Sequence, residues 1–346
     1  MKVLIIGSGI SAILVAKTFL EYDYKVYLVD SENYSDKVEY KKKVKFLPNI
    51  NQSPKFQNKT IKTSFVKFKK KYKIKTKNFY LVSSLISGGL SNFWGAGIEI
   101  PKLDYLKKYS FGKSILKEKN YIDNEIGVNA NMFNFYNFFY KQKIIKTFLK
   151  KKDKSIYFSK LPLALRQFGK KKLSISDYDN LDLLSTNINV YNAKFQIPKL
   201  LKYKNFNYIS NTFVSNIIRD KKSYKLITES KKKINLKFDK VVISAGTVGS
   251  TILVDKILGL SEKYRLFHTP IVKLMYFSFL LPFKMINKYK FGLPLLNLNI
   301  HIQNKKFIGS FIYLRDITNY FFGVRKTNIL FSLIKKFFFV GNIFLP

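Results

Sequence analysis

The sequence predicts an α/β fold: a parallel-sheet domain assembled from separated stretches of chain, and a second, α+β domain made from the stretches between and after them. Three observations predict it. Lys2–Ile6 is an apolar, β-branched run that ends at Gly7-Ser8-Gly9, and an apolar-periodic segment and a second apolar run follow. Val241–Ala245 is another short apolar run that passes through Gly246 into small residues. The chain has 346 residues and is 47% hydrophobic, enough for a sizeable core in one large domain or two interleaved ones.

Each element follows from its residue pattern. Lys2–Ile6 is continuously apolar, as a strand buried on both faces of a parallel sheet must be. Ile10–Tyr22 has helical spacing, with Ile13, Leu14, Ala16, Phe19 and Leu20 apolar. Lys25–Val29 is a second strand closed by Asp30, which completes a βαβ unit ending in an acid. Residues 31–78 are polar and Lys-rich, with runs at Tyr40–Lys45 and Lys67–Lys75, and read as a surface excursion. Phe79–Ser83 reads as a strand feeding the loop Ser87–Gly97. Pro101–Tyr109 restarts helical material, and Met132–Lys150 is an aromatic-rich amphipathic helix. Ser155–Gln196 is mixed, with weak strand signals such as Asn187–Tyr191. Phe206–Ile218 and Ser223–Glu229 read as strands of a small antiparallel layer, and Gly246–Leu258 as a helix. Leu296–Phe307 alternates like a strand; the rest beyond Leu260 is aromatic-rich and has no clear period. No internal repeat is visible. The expected domains are 1–100 with 205–260 for the parallel sheet, and 101–204 with 261–346 for the other.

Composition removes several classes of function. There is no cysteine, which excludes a disulfide framework, an Fe–S cluster and a thiol nucleophile. With two histidines, no metal site is expected. The 63 Lys and Arg against 21 Asp and Glu give a formal net charge of +42, which attracts polyanions. Most of that excess is Lys spread along the whole chain among Asn, Ile, Phe and Tyr, so compositional bias with a solvated surface is the weightier reading. No nucleic-acid-binding module is readable, and no specific nucleic acid is expected. The glycines at 7 and 9 break the first apolar run, which argues against a signal peptide. No stretch is long and apolar enough for a spanning helix; Thr269–Phe283 comes nearest and carries Lys273. A cytoplasmic chain is expected. Phe331–Phe344, with Lys335 and Lys336 among many Phe and Leu, is either a peripheral membrane contact or a tail packed on the core. The remaining Lys runs, at 41–43, 69–71, 150–152, 170–172 and 231–233, read as solvated loops.

Three segments carry the chemistry. Gly7-Ser8-Gly9-Ile10-Ser11-Ala12 fits GxGxxG/A between a strand and a helix. There Gly7 makes the sharp turn, Gly9 lets backbone approach a pyrophosphate, and Ala12 lets the helix sit close to the strand. The helix N-terminus then offers N–H groups and positive dipole to phosphate. Asp30, at the end of the second strand, is placed to accept ribose hydroxyls and to repel a 2′-phosphate, which argues against NADP. The second segment, Ser87–Gly97, has four glycines in eleven residues, so backbone N–H groups can crowd an anion or a flat ring. Ser91 and Asn92 add polar groups for an isoalloxazine edge, and Trp94, the single tryptophan, is placed to pack along a cofactor. The third is Val241–Ser250, where Ala245 and Gly246 end a strand and allow close backbone approach.

In this order and at these separations the three segments resemble the glucose–methanol–choline (GMC) oxidoreductase family, and most of all its compact bacterial members associated with surface-polysaccharide gene clusters. The resemblance covers residues 1–30, 79–100 and roughly 205–260. It implies a Rossmann-like FAD-binding domain with a substrate domain beside it. It also implies FAD as cofactor and oxidation of a CH–OH group on a small molecule, with a sugar or glycan precursor in view. The GxGxxG turn would hold the ADP half. Gly88, Gly89, Ser91 and Asn92 would lie along the pyrophosphate and flavin, and Ala245 and Gly246 would return the chain to the cofactor. Val214 matches a valine whose backbone meets the adenine side. The family's catalytic histidine sits in a Gly-rich setting near the C-terminus. Here the histidines are His268 and His301, and neither has that setting. His301, on the alternating stretch, is the first candidate for the base if the enzyme is active, although a lone histidine is more often a structural or surface residue. The same departure leaves open a shortened or catalytically degenerate FAD-binding chain acting as a structural or partner subunit. Oligomeric state is not readable.

Overall fold

In the computed structural model the described residues are 1–36, 59–77, 81–98, 106–107, 109–128, 156–159, 162–164, 190–220, 222–229, 234, 236–260, 264, 271–277, 294–302, 305–313 and 338–344. Their strands, in chain order, are β1 (Lys2–Ile6), β2 (Lys25–Val29), β3 (Ile156–Ser159), β4 (Phe206–Ile209), β5 (Val214–Asp220), β6 (Ser223–Thr228), β7 (Lys237–Phe238), β8 (Lys240–Ile243), β9 (Ile271–Phe277), β10 (Pro294–Ile302), β11 (Lys305–Tyr313) and β12 (Phe338–Phe344). The helices are α1 (Ile10–Glu21), α2 (Lys59–Lys71), α3 (Gly112–Ile126), α4 (Ile197–Leu200) and α5 (Gly246–Leu258), with 3-10 turns at Gly89–Asn92 and Ala193–Gln196. The chain divides into two units: Met1–Lys42 with Asn58–Asn92 and Asn192–Arg265, and Lys43–Gln57 with Phe93–Tyr191 and Leu266–Pro346.

The first unit is built on a parallel sheet in the order β4-β2-β1-β8. Counting its strands as they occur along the chain, that is a 3-2-1-4 arrangement, the order of a Rossmann-type sheet. The fold is therefore mixed α/β around a parallel sheet. Val3, Leu4, Ile5, Val26 and Leu28 are completely buried, as strands covered on both faces require. Leu4, Ile6, Tyr27 and Val29 pack with Val214, Ile217, Phe238 and Leu253, contributed by β5, β7 and α5. Val3, Ile5, Val26 and Leu28 point the other way by strand alternation. α1 buries Ala12, Ile13, Ala16 and Leu20, and the short Ala12 and Ala16 side chains let it lie close to its neighbours. An antiparallel sheet, β5-β6-β7, completes the unit.

Two expectations for this unit change. Phe206–Ile218 is not one strand of an antiparallel layer. It breaks between Ile209 and Val214, where Asn211 takes φ 52°, a left-handed turn that Asn tolerates. Its first half, β4, joins the parallel sheet beside β2. Nor is the Lys-rich stretch after residue 58 all surface excursion. Lys69–Lys71 end the helix α2, whose Phe65 and Phe68 are 3% and 1% exposed. Tyr72 continues that apolar face, 4.6 Å from the Phe68 ring and 5.0 Å from that of Phe213. Lys71 pairs with Glu229. Leu81–Ser83, read as the end of a strand, is irregular; the Tyr40–Lys45 run lies outside the described residues, as do 78–80.

The second unit carries an antiparallel sheet in the order β3-β10-β11-β12-β9. The alternating stretch around His301 is thus the turn end of a β10–β11 hairpin. β12 is paired on both sides, to β11 and to β9, so residues 338–344 form an interior strand and not the amphipathic surface helix that a membrane contact would use. Among the described residues no helix is long and apolar enough to cross a membrane. The expected helix Met132–Lys150 and the strand signal at 187–189 lie outside the described residues.

Candidate functional site

A parallel sheet brings the ends of its strands to one edge, and here that edge collects the sequence motifs of the first unit. β1 runs into Gly7, β2 into Asp30 and β8 into Ser244. Backbone bonds lock these exits side by side: Gly7 N–H to Val29 O at 2.9 Å, Asp30 N–H to Ile209 O at 2.9 Å, and Ser244 N–H to Ile6 O at 2.9 Å. Open α/β sheets bind ligands at this carboxyl edge, beside the first strand where the sheet order reverses.

The two glycines of the first turn have different jobs. Gly7 takes φ +96°, and a Cβ there would overlap the Ser244 carbonyl oxygen. Its bareness therefore serves the close approach of β1 to β8. Gly9 takes φ −65° and ψ 179°, open to any residue, and a Cβ there would meet nothing within 4 Å. It stands as the N-cap of α1 with no side-chain cap and no acid in the first turn, which leaves the first-turn N–H groups of Ile10, Ser11 and Ala12 to an external acceptor. Bare backbone facing open space at a helix N-terminus is a cradle for an anion.

Asp30 turns its carboxyl toward donors of the fold itself. It is 5% exposed. Its Oδ2 accepts the Ser8 hydroxyl at 2.5 Å and lies 3.2 Å from the Tyr208 hydroxyl, and its Oδ1 accepts Ser31 N–H at 2.9 Å. Burial pushes the carboxyl up to about 6, against the pull of the Ser8, Ser87, Ser31 and Tyr208 donors. Tyr208 is in turn raised by burial and by the adjacent Asp30 charge.

The second glycine segment sits on the first. Gly88 N–H donates to Ser8 Oγ at 2.8 Å, Ser87 Oγ lies 3.4 Å from Ser8 Oγ, and a Cβ on Gly89 would come 3.6 Å from Gly9 Cα. Gly88 takes φ +86° and is wedged against Asn192 and Lys194, leaving no room for a side chain. Ser91 and Asn92, expected to face a flavin, are buried and used internally. Asn92 Nδ2 donates to Ser87 O and Gly89 O at 2.9 and 2.8 Å, and Asn92 Oδ1 accepts Asn192 Nδ2 at 3.0 Å. Ser91 Oγ donates to Gly88 O at 2.6 Å and accepts Ala193 N–H at 3.0 Å. Their work is to shape the loop. What the loop can offer a ligand is backbone, at Gly88 and Gly89.

The third segment closes the edge. Ala245 is the N-cap of α5, with its N–H on Ser250 Oγ at 3.2 Å, and Gly246 takes φ +72° with open space where a Cβ would be. Three glycine-bearing turns thus meet at one edge of one sheet. No protein-family model and no curated protein matches the chain. Among solved structures, an L-amino acid deaminase from Proteus vulgaris lacking its specific insertion sequence matches at 11% identity and a TM-score of 0.30, over 79% of this chain and 58% of its own. A variant of P. aeruginosa PqsL matches at 9% identity and a TM-score of 0.30, over 100% of this chain and 61% of its own. The chain spans less than two thirds of either, and superpositions this loose carry no argument about activity or cofactor.

Val214 starts β5 and is buried in the core cluster of the first unit. Trp94 belongs to the second unit, half-buried, with its indole N–H on Tyr191 O at 2.9 Å. His301 is in β10, in register with Lys306 of β11; its side chain and the whole of His268 lie outside the described part. Sequence reasoning missed Tyr208, Asn192 and Lys194. Lys194 Nζ donates to Asp36 O at 2.5 Å; burial lowers its pKa, and Asp36, Glu32 and Asp30 oppose that. None of the three sits in a recognisable motif. The signal available was only that polar residues must partner a buried loop.

Proposed function

We propose that the first unit holds the ADP half of FAD at the carboxyl edge of its parallel sheet, and that the chain is an FAD-dependent oxidoreductase. The observation that carries this reading is the pairing of open space at Gly9 with the uncapped N-terminus of α1. Bare backbone and uncapped N–H groups are what a diphosphate would need there, and a Cβ at Gly9 would stand in its way. The N–H groups of Ser11 and Ala12 would meet the phosphates, and the backbone at Gly88, Gly89 and Gly246 would border the group further along. Flavin, when bound, supplies a two-electron acceptor for hydride.

The finer reading is that of a GMC-type enzyme acting on a CH–OH group of a sugar or glycan precursor. It rests on the order and spacing of the three glycine segments. In it the second unit supplies the substrate side, and His301 takes the alcohol proton as general base. Two histidines in the whole chain, neither in a Gly-rich setting, support a second reading: a flavin-binding chain without turnover.

The absorbance spectrum of the purified protein tests the cofactor. A flavin spectrum on isolation, or quenching of FAD fluorescence on titration into the apoprotein, is expected; no uptake at any FAD concentration overturns the reading. Anaerobic addition of alcohols and sugars then separates the two finer readings. Bleaching by any of them establishes turnover, and its absence across the panel favours the second.

A further inference from the structure

We infer that Asp30 is a positioning residue: its inward carboxylate, acting through Ser8, latches the Ser87–Asn92 loop onto the glycine turn and does not serve as a ribose acceptor. The consequence for cofactor binding rests on the FAD reading above; the latch itself does not. A carboxylate that receives ribose hydroxyls at the end of β2 has to present its oxygens outward. Here three donors of the fold already reach them, Ser31 N–H to Oδ1 and the Ser8 and Tyr208 hydroxyls to Oδ2, and the residue is buried. The Ser8 hydroxyl has one proton. Once that proton is given to Asp30, its lone pairs face Gly88 N–H, 2.8 Å away. The result is a directed relay, carboxylate to hydroxyl to amide, across a sequence separation of 80 residues.

The rest of the surroundings fit a latch. A side chain on Gly88 would strike Lys194 and Asn192 Oδ1, so the loop also sits tightly against the 192–194 turn. The groups facing Asp30 are Ser8 from the turn, Ser31 from the chain after β2, Ser87 from the loop and Tyr208 from β4, with Lys194 and Glu32 as the charges nearby. With its pKa raised only to about 6, Asp30 remains ionised at neutral pH, and a charge-assisted bond to Ser8 is the stronger kind. A loop ordered in advance in this way presents its backbone to a ligand without a further ordering cost.

The test compares wild type with Ser8→Ala, Asp30→Ala and Asp30→Asn, all verified as folded by circular dichroism. It reads amide hydrogen exchange of the 84–92 segment in the apoprotein, and FAD affinity by fluorescence quenching. The latch predicts exchange at least tenfold faster in Ser8→Ala and Asp30→Ala. It predicts a parallel loss of FAD affinity in both, and a Ser8→Ala/Asp30→Ala double variant no worse than either single. Asp30→Asn restores protection, because Nδ2 can donate to Ser8 Oγ while a second lone pair there still accepts Gly88 N–H. If Asp30→Ala fails to fold, Ser8→Ala and Asp30→Asn carry the comparison. A ribose acceptor gives the opposite pattern: Asp30→Ala weakens FAD with loop exchange unchanged, Ser8→Ala is silent, and the latch is overturned. If no protein binds FAD but the exchange pattern holds, the cofactor reading fails and the latch stands.

Discussion

Replacing each glycine of the first turn by alanine separates architecture from ligand approach. At Gly7 the backbone is at φ +96°, where an L side chain costs about 1–2 kcal/mol, and the new methyl would overlap the Ser244 carbonyl of the neighbouring strand. Relieving that overlap means parting β1 from β8, and overpacking of this kind costs about 1–3 kcal/mol. Gly7→Ala is therefore expected to lose about 2–5 kcal/mol of stability whether or not a cofactor is present. At Gly9 the backbone is at φ −65° and ψ 179° and the methyl would enter empty space. Gly9→Ala is expected to change apoprotein stability by no more than about 1 kcal/mol, the gain through the unfolded chain being offset by the poorer fit of Ala at an N-cap. Its cost falls on the ligand: a methyl standing where a diphosphate must touch backbone is expected to weaken FAD at least tenfold, about 1.4 kcal/mol. Urea melts of the apoproteins and FAD titrations together give both numbers. Wild-type FAD affinity in Gly9→Ala would refute the assignment of that space to a diphosphate. A loss of apoprotein stability as large as that of Gly7→Ala would refute the geometry itself.

Two further expectations concern stability. Asp30 has a folded-state pKa of about 6 against 3.8 in an ordinary chain, so between those values the folded state holds the proton more tightly than the unfolded one. Its contribution is fully present below about pH 4, declines as pH rises to 6 and is level above, a span of about 3 kcal/mol at 1.36 kcal/mol per unit. Asp30→Asn removes that decline, so the stability difference between variant and wild type, followed by urea melts from pH 4 to 7, should grow in favour of the variant; a flat difference would show the acid to be solvated. Phe68→Ala, on the Lys-rich helix α2 and 1% exposed in the wild type, should cost about 3–5 kcal/mol in the same assay, and a neutral result would return that helix to the surface.

The parts of the fold legible in the sequence are those written locally. β1, α1, β2 and α5 each occupy a contiguous stretch with one periodicity, all but β2 are punctuated by glycine, and the expected and observed limits differ by a residue or less. β4 was not legible because its identity lies in its pairing. Phe206–Ile209 has the same apolar character as β5, and only the register with Val26–Val29, remote in sequence, makes it a parallel strand. In α2 the lysines masked the signal: Phe65 and Phe68 sit three apart on one face, but six of the helix's thirteen residues are Lys. For the site, the glycine pattern marked where backbone is bare, since bareness is a property of single residues. It said nothing of side-chain direction. Ser8 occupies a position where the motif admits any residue, and Ser91 and Asn92 look alike on paper whether they face a ligand or their own loop. Asp30 meets Ser8 and Ser31 close by in its own βαβ unit, and the Tyr208 hydroxyl only through the β4 pairing that the sequence conceals.

The placement of β1 between β2 and β8 has a consequence for how the protein is made. β1 and β2 leave the ribosome well before β8, yet the second edge of β1 is satisfied by Lys240–Ile243, and Lys2 N–H by the Asp239 carboxylate, 237 positions along. While that intervening length is being made, a nascent chain carries an apolar strand with one bare ladder, the kind of edge that recruits another copy or a chaperone. Sheet closure across such a span is slow by topology. Soluble yield in a heterologous host should therefore depend on the rate of elongation and on holdase capacity more than on the final stability of the fold.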